Sequence, residues 1–340
     1  MKKNKKVAVI IISVILAIAL LLTSAFFILS YIGKKQFHKK DKHIVNENVV
    51  IDDEDSITYN ENEYVLNKNI ISMLVIGVDR SSLEKDFGAG SNGQADVIFL
   101  ATVDTKTKKM SIIPISRETI TDINIYTTDG TFAGTQKQPL CLAYAYGNTP
   151  EECSINIMTS VKRLLYEINI DSYVTIDMNG VSKLTDMVGG IEVDCLENIK
   201  VGGKYVNAGE KLTLNGSKAL DYVRNRGTDL EANNRRMQRQ KQFLSALISK
   251  TGNSVLSDFT NLATYYTNLT PYFSTNISFA QITYLAQNFL SLNLGDSLEY
   301  KNIEGTLAQG EKWVEFTADE NSLLQTVIDV FYIPKKSNTD

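Results

Sequence analysis

The longest apolar stretch runs from Val7 to Ile32; it carries no charge, is dominated by Ile, Leu, Val, Ala and Phe, and is preceded by Lys2, Lys3, Lys5 and Lys6. At about 1.5 Å per residue such a run crosses a bilayer core of roughly 30 Å with some tilt. It exceeds an ordinary signal-peptide core and no A-x-A site follows it, so residues 7–32 are expected to be an uncleaved transmembrane anchor, with a cleaved signal peptide as the second reading. Lys34, Lys35, Lys39, Lys40 and Lys42 make the far flank as basic as the near one, so the positive-inside count is close to a tie. A long C-terminal domain is exported regardless of such charge, which leaves residues 1–6 as a cytoplasmic tail and places residues 33–340 on the extracytoplasmic side of the cell membrane. From Gly33 to Lys68 the chain is polar and charge-blocked, lysines first and then Asp52, Asp53, Glu54 and Asp55. It has too few apolar residues to pack alone and reads as a linker, whose basic first part suits anionic headgroups.

From Asn69 onward the pattern is that of a packed domain. Ile70 to Val78 is an almost unbroken apolar run of strand length, consistent with a strand covered on both faces, and Asp79 follows at its C-terminal tip. Ser81 to Gln94 is rich in Gly, Ser and Asn and reads as a loop. Asp96 opens a second apolar strand, Val97 to Val103, and the polar turn Asp104 to Lys109 leads into a third, Met110 to Ser116. A hairpin centred between Lys106 and Thr107 sets Asp96 opposite Arg117, within a residue or two of register, with Asp79 at the same end of the sheet. A structural ion pair at a sheet rim accounts for that placement as well as a site does. Thr121 to Gln138 reads as a polar insertion and Cys141 to Gly147 as a short segment. The pattern then predicts a helix over Ser154 to Ile168, a strand over Tyr173 to Asp177, a helix over Asn179 to Val188, a turn at Gly189 and Gly190, and a strand over Ile191 to Cys195. A hairpin over Gly202 to Gly209, a helix begun near Asn215, and helices near Phe279 to Leu290 and Asp319 to Phe331 complete the order. Strands interleaved with helices predict an α/β (α+β) fold, a mixed central sheet sandwiched between helices, as one domain over residues 69–340.

A chain of 340 residues, 43% hydrophobic and 22% charged, can bury a full core. Its net charge of -4 argues against a protein that coats nucleic acid. Cys141, Cys153 and Cys195 form no CxxC pair, and His38 and His43 both precede the packed region, which disfavours a Cys/His zinc site and a histidine-based triad. Against this background Ala219 to Gln242 stands out, because it carries Arg224, Arg226, Arg235, Arg236 and Arg239. Arg224 and Arg226 are two apart, so they diverge on a helix but align on an extended segment, which suits the frayed end of the helix begun near Asn215. Asn233 or Asn234 suits the cap of the next helix. On that helix Arg236, Gln240, Phe243 and Leu247 step by four, three and four residues onto one stripe, so Arg236 and Gln240 are expected to face a cleft while Arg235, Gln238 and Lys241 face outward. Guanidinium forks match phosphate oxygens two at a time, which points to an anionic ligand; a solvated basic face is the ordinary alternative.

Taken together, LVIGVDR (Leu74 to Arg80), ADVIFLATVD (Ala95 to Asp104), IPISRET (Ile113 to Thr119), AYAYG (Ala143 to Gly147), the stretch ending MVGGIEV at Val193, and ALDYVRNR with RMQRQ resemble the LytR-CpsA-Psr family of membrane-anchored cell-wall phosphotransferases. The resemblance runs in the family's order and covers nearly all of residues 70–250. It implies transfer of a glycopolymer, such as teichoic acid or capsule, from a polyprenyl-pyrophosphate carrier to a peptidoglycan acceptor, with release of polyprenyl phosphate, in a Gram-positive type envelope. By resemblance Asp79 and Asp96 hold Mg²⁺, a hard cation suited to carboxylate and phosphate oxygens. Asp79, Asp96, Arg117, Arg224 and Arg226 are then the catalytic set, with Arg117, Arg224, Arg226, Arg236 and Gln240 clamping the pyrophosphate and Arg239 a further candidate; a non-polar tunnel between sheet and helices holds the prenyl chain. Two positions depart from the family: Gln94 stands where an arginine is usual, and Asn233 where an aspartate is frequent. They keep a second reading open, a lipid-binding or scaffolding protein impaired in catalysis.

Overall fold

The computed structural model describes residues 25–37, 49–51, 56–83, 88, 90–225, 232–258, 260–289 and 298–335. Its centre is a mixed sheet built from β1 (Ile70–Val78), β2 (Ala95–Asp104), β3 (Met110–Pro114), β4 (Ser172–Ile176), β5 (Phe273–Thr275) and β6 (Leu298–Tyr300), in the order β5-β4-β1-β2-β3-β6. β1 pairs antiparallel with β2 and parallel with β4, and β6 runs parallel to β3. The β2–β3 hairpin has the expected register: Phe99 faces Pro114 and Val103 faces Met110.

Both faces of this sheet are covered, which is why its central strands read as continuous apolar runs. On one face Leu74, Ile76, Val78, Leu100 and Ile113 pack with helices α2 (Pro150–Leu164) and α8 (Glu320–Phe331). On the other, Phe99, Val103, Met110 and Ile112 meet Leu244 and Ile248 of the long helix α5 (Ala232–Ser257). A satellite core under α3 (Met178–Met187), α4 (Gly216–Arg224), α5 and α6 (Thr260–Leu269) gathers Val188, Ile191, Leu214, Tyr222 and Phe243. The first described helix, α1 (residues 25–36), packs its C-terminal end on α7 (Phe279–Phe289), where Phe37 joins Ile71, Tyr284 and Leu285. Most of the expected anchor at residues 7–32 lies outside the described residues, and among those described no helix is long and apolar enough to cross a membrane.

Three local expectations are corrected. Residues 33–68 are not a linker throughout: Ser56–Tyr59 and Asn62–Leu66 form a hairpin whose second strand pairs with Tyr332–Pro334 near the far end of the chain. That partner is too distant in sequence to leave a local signal. The polar insertion is itself a hairpin, Ile120–Tyr126 with Phe132–Pro139, polar because most of its second strand faces solvent. Helix α2 begins four residues earlier than the apolar spacing suggests. Thr149 caps it by accepting from the Glu152 amide, and Pro150 occupies the first turn, where its missing N–H costs nothing.

The β2–β3 turn is held by Asp104, the last residue of β2. Its Oδ1 accepts from the Lys106 and Thr107 amides and its Oδ2 from Asn67 Nδ2. Burial pushes the Asp104 carboxyl up, but the hydrogen bonds from Thr107, Asn67 and Lys106 together hold it below its ordinary 3.8. A depressed carboxylate stabilises the fold above its unfolded pKa, and the contribution fades as pH falls through the folded value. Asp104→Ala is expected to cost about 2 kcal/mol at neutral pH from these lost bonds. Thermal melts of both proteins should show that gap at pH 7 and a smaller one near the acid limit.

Candidate active site

The site forms where β1 ends and β2 begins. Between Gly77 and Val78 the β1–β2 register slips: Gly77 faces Val97 but Val78 faces Ala95, which leaves Asp96 as the extra, unpaired residue of a β-bulge. Bulges re-aim side chains at sheet ends. Only glycine suits position 77, since a Cβ there would stand 2.9 Å from that of Val97. The hairpin register brings Arg117 beside Asp96 as expected, and its guanidinium bridges Asp96 Oδ1 and Gln94 Oε1. Arg117 Nε lies 3.5 Å from Glu118 Oε1. Burial works against the Arg117 charge, but Cys141 and Asp96 beside it outweigh that and raise its pKa above the ordinary arginine value. Burial in turn pushes the Cys141 thiol up.

From the other side, α4 ends on Arg224, whose Nη2 lies 2.9 Å and 3.1 Å from the two oxygens of Asp79. These partners are 49% and 43% exposed, whereas Arg117 and Asp96 are 15% and 14% exposed. The Asp79–Arg224 pair is therefore weakly held and easily exchanged for a ligand, and the Arg117–Asp96 pair is a fixed part of the wall. Asn215 caps α4 by accepting from the Lys218 amide, as the sequence predicts. Asn233 and Asn234, by contrast, lie within α5 rather than ahead of it. Asn233 Nδ2 donates to Glu118 Oε1 at 2.5 Å, and Ser116 Oγ to Glu118 Oε2 at 3.1 Å.

Asp79, Asp96, Arg117, Arg224 and Arg236 all line one cleft of about 770 Å³, together with Gln94, Glu118, Cys141, Asn233, Lys312 and Trp313. Gln240 lies just behind it, lining a small cavity shared with Asp96, Arg117 and Arg236 and donating to the Val223 carbonyl. Two buried atoms of the wall, Arg117 Nε and Asn233 Oδ1, lack a hydrogen-bond partner among the described residues. A donor and an acceptor left open on a cleft wall are what a bound polar ligand completes.

Arg239 is not brought to this cleft. Its side chain is 2% exposed, donates from Nε to the Tyr222 carbonyl at 2.9 Å, and is bound by Glu197 and the Asn225 carbonyl. Arg235, four residues earlier and on the same side of the helix, reaches the same Glu197 at 3.2 Å. Arg239 thus splices α5 to the end of α4, Glu197 is shared by both arginines, and burial lowers the Arg239 pKa. Lys241 was expected to face outward; it is buried, donates to Asn302 at 2.5 Å, and burial lowers its pKa as well. Arg226 lies outside the described residues. Sequence reasoning missed Glu118, Lys312 and Trp313. Glu118 is adjacent to a residue already singled out, but Lys312 and Trp313 belong to the hairpin Gly305–Gln309 and Val314–Ala318, which only the tertiary fold brings over the cleft.

A cleft lined by three guanidinium groups, a lysine and three carboxylates at the end of a mixed sheet suits an anionic, phosphate-bearing ligand. The chain belongs to the LytR_cpsA_psr family, whose model matches residues 30–327. It is 27% identical over 292 residues to the polyisoprenyl-teichoic acid–peptidoglycan teichoic acid transferase TagU of Enterococcus faecalis, a match covering 86% of each chain. It is 32% identical over 197 residues to the similarly described TagV of Bacillus subtilis, covering 56% of this chain and 46% of that one. The crystal structure of Bacillus subtilis TagV superposes with a TM-score of 0.62 at 25% identity, covering 77% of this chain and 96% of the other.

Proposed function

We propose that this protein transfers a glycopolymer, teichoic acid or a related polymer, from a polyprenyl-pyrophosphate carrier to peptidoglycan at the outer face of the cell membrane. The convergence of Asp79, Asp96, Arg117, Arg224 and Arg236 on one cleft carries this reading, and the names of its relatives support it. In the reaction an acceptor hydroxyl attacks the phosphorus that bears the glycopolymer; the phosphoanhydride bond breaks, polyprenyl phosphate leaves and a phosphodiester forms. Such a displacement leaves little covalent work for the protein, which acts by positioning and by neutralising charge. Arg117, locked to Asp96, meets the anion with a preset fork, and Arg224 is free to rotate from Asp79 toward it. Trp313, half exposed at the lip, offers a flat apolar face to a sugar ring.

Asp79 and Asp96 suit Mg²⁺ as a donor pair: both present oxygen ligands to the same cleft. No group of three or more His, Cys, Asp or Glu able to hold a metal occurs among the described residues; an ion held by this pair would complete its shell with water and phosphate oxygens. When bound, the ion would neutralise negative charge developing on the phosphates.

Gln94 and Asn233 are both tied into the cleft wall. Gln94 accepts from Arg117 and Asn233 donates to Glu118, and the loss of one cation is matched by the loss of one anion, so the formal charge of the cleft is conserved. This favours a turning-over enzyme above an impaired lipid binder. Full-length protein given Mg²⁺, a polyprenyl-pyrophosphate sugar and peptidoglycan is expected to release polyprenyl monophosphate, with release lost on chelation and in Asp96→Ala. Donor that binds, quenching the fluorescence of the sole tryptophan Trp313, yet yields no monophosphate with any acceptor would establish the binding reading instead.

A further inference from the structure

At the opposite end of the sheet from the cleft lies a second cavity of about 390 Å³, lined by Lys34, Asn69, Thr105, Lys106, Lys108 and Asn288 with two further residues of α7. Among the described residues three lysines and no carboxylate line it. Asp104, beside Thr105 in the same turn, is buried and spent on the Lys106 and Thr107 amides and on Asn67. Lys108 Nζ donates to Asn288 Oδ1, and Thr105 Oγ1 to the Asn69 carbonyl, so the lining is tied together from three elements.

The position of this cavity is set by α1. One side of α1 is fixed to the domain: Ser30 donates to Gln287, Gly33 backs against the Ala280 carbonyl, and Phe37 packs on Tyr284. Its other side presents Phe27, Ile28, Tyr31 and Ile32, each between 43% and 61% exposed. With residues 7–32 read as an anchor, these four large apolar side chains on one short helix would face lipid. Lys34 follows Ile32 by two residues, so the cavity sits at the depth where hydrocarbon gives way to headgroups.

We propose that this cavity binds the phosphate of an anionic lipid headgroup and so seats the domain upright on the bilayer. The inference rests on the reading of residues 7–32 as an anchor. β1 has nine residues and spans the distance from Asn69 at the cavity to Asp79 at the cleft, about 30 Å at the usual strand rise. Headgroup capture at one pole therefore fixes the height at which the other pole meets its substrate.

The test uses the full-length chain in nanodiscs of phosphatidylcholine, either alone or with phosphatidylglycerol as roughly a third of the lipid. Amide hydrogen exchange over residues 104–109 and 284–288 is expected to slow several-fold in the anionic discs. Lys106→Gln, an exposed change that leaves the turn intact, should weaken that protection about fivefold, and Lys106→Gln with Lys34→Gln should remove it. Equal exchange in the two discs overturns the proposal. So does the same protection produced by inorganic phosphate in phosphatidylcholine discs, which would mark a soluble-anion site. Failure of the chain to enter either disc removes the anchor and this site with it, while leaving the transfer reading of the cleft standing.

Discussion

Replacing Arg117 with alanine is expected to lower kcat for glycopolymer transfer by about three orders of magnitude, the scale seen when a preorganised cation or oxyanion donor is removed from a phosphoryl- or acyl-transfer site. The physical reason lies in what Arg117 touches. It bridges Asp96 and Gln94 and stands 3.5 Å from Glu118, so it balances two carboxylates on the cleft wall and, in the proposed reaction, meets the anion. Without it Asp96 and Glu118 face the substrate phosphates as uncompensated negative charge. Arg117→Lys restores the charge but not the fork, and should recover only part of the rate. Initial rates at saturating donor, taken beside circular dichroism and a thermal melt, separate the chemical effect from loss of fold. A well-folded Arg117→Ala that keeps its rate within tenfold of the parent would reduce the Arg117–Asp96 pair to a structural rim contact.

The second large effect concerns stability. Arg239→Ala should destabilise the fold by about 4 kcal/mol, because it strips a buried guanidinium from two backbone carbonyls and from Glu197. For a domain of this size that is a fall of roughly 10 °C in the melting temperature. Arg239→Lys should lose most of the same amount, since one ammonium cannot span three partners. Arg235→Ala should lose far less, its side chain being 41% exposed. Residual activity measured well below the melting point is expected to stay near the parental level in Arg239→Ala. A collapse of kcat there without a shift in the melt would return Arg239 to the substrate cleft. Within the arginine-rich segment, Arg224 and Arg236 line the cleft, while Arg239 ties α5 to the end of α4.

That division explains which site residues were legible beforehand. Helical spacing sets Arg236 in line with Phe243 and Leu247, a cation on an apolar stripe enters either a core or a cleft, and Arg236 lines the cleft. Arg239 was misjudged because its destination depends on Glu197 and on the C-terminal carbonyls of α4, groups 42 and 14 residues away. The same holds for Lys241: its partners Tyr300, at the end of β6, and Asn302, just after it, have no periodic relation to α5.

By itself the sequence determined what short-range sterics and periodicity can encode. The apolar runs dictated β1, β2 and β3; the polar turn at Asp104 to Lys109 set the register that puts Arg117 against Asp96; Asn215 marked the start of α4. Only the tertiary structure decided the rest. It joined Ser56–Tyr59 and Asn62–Leu66 to the far C-terminus, brought the Trp313 hairpin over the cleft, and turned Asp96 inward through a one-residue bulge. Local patterns record which face of an element is buried, but they carry no information on which distant element buries it, and a cleft is made of such distant meetings.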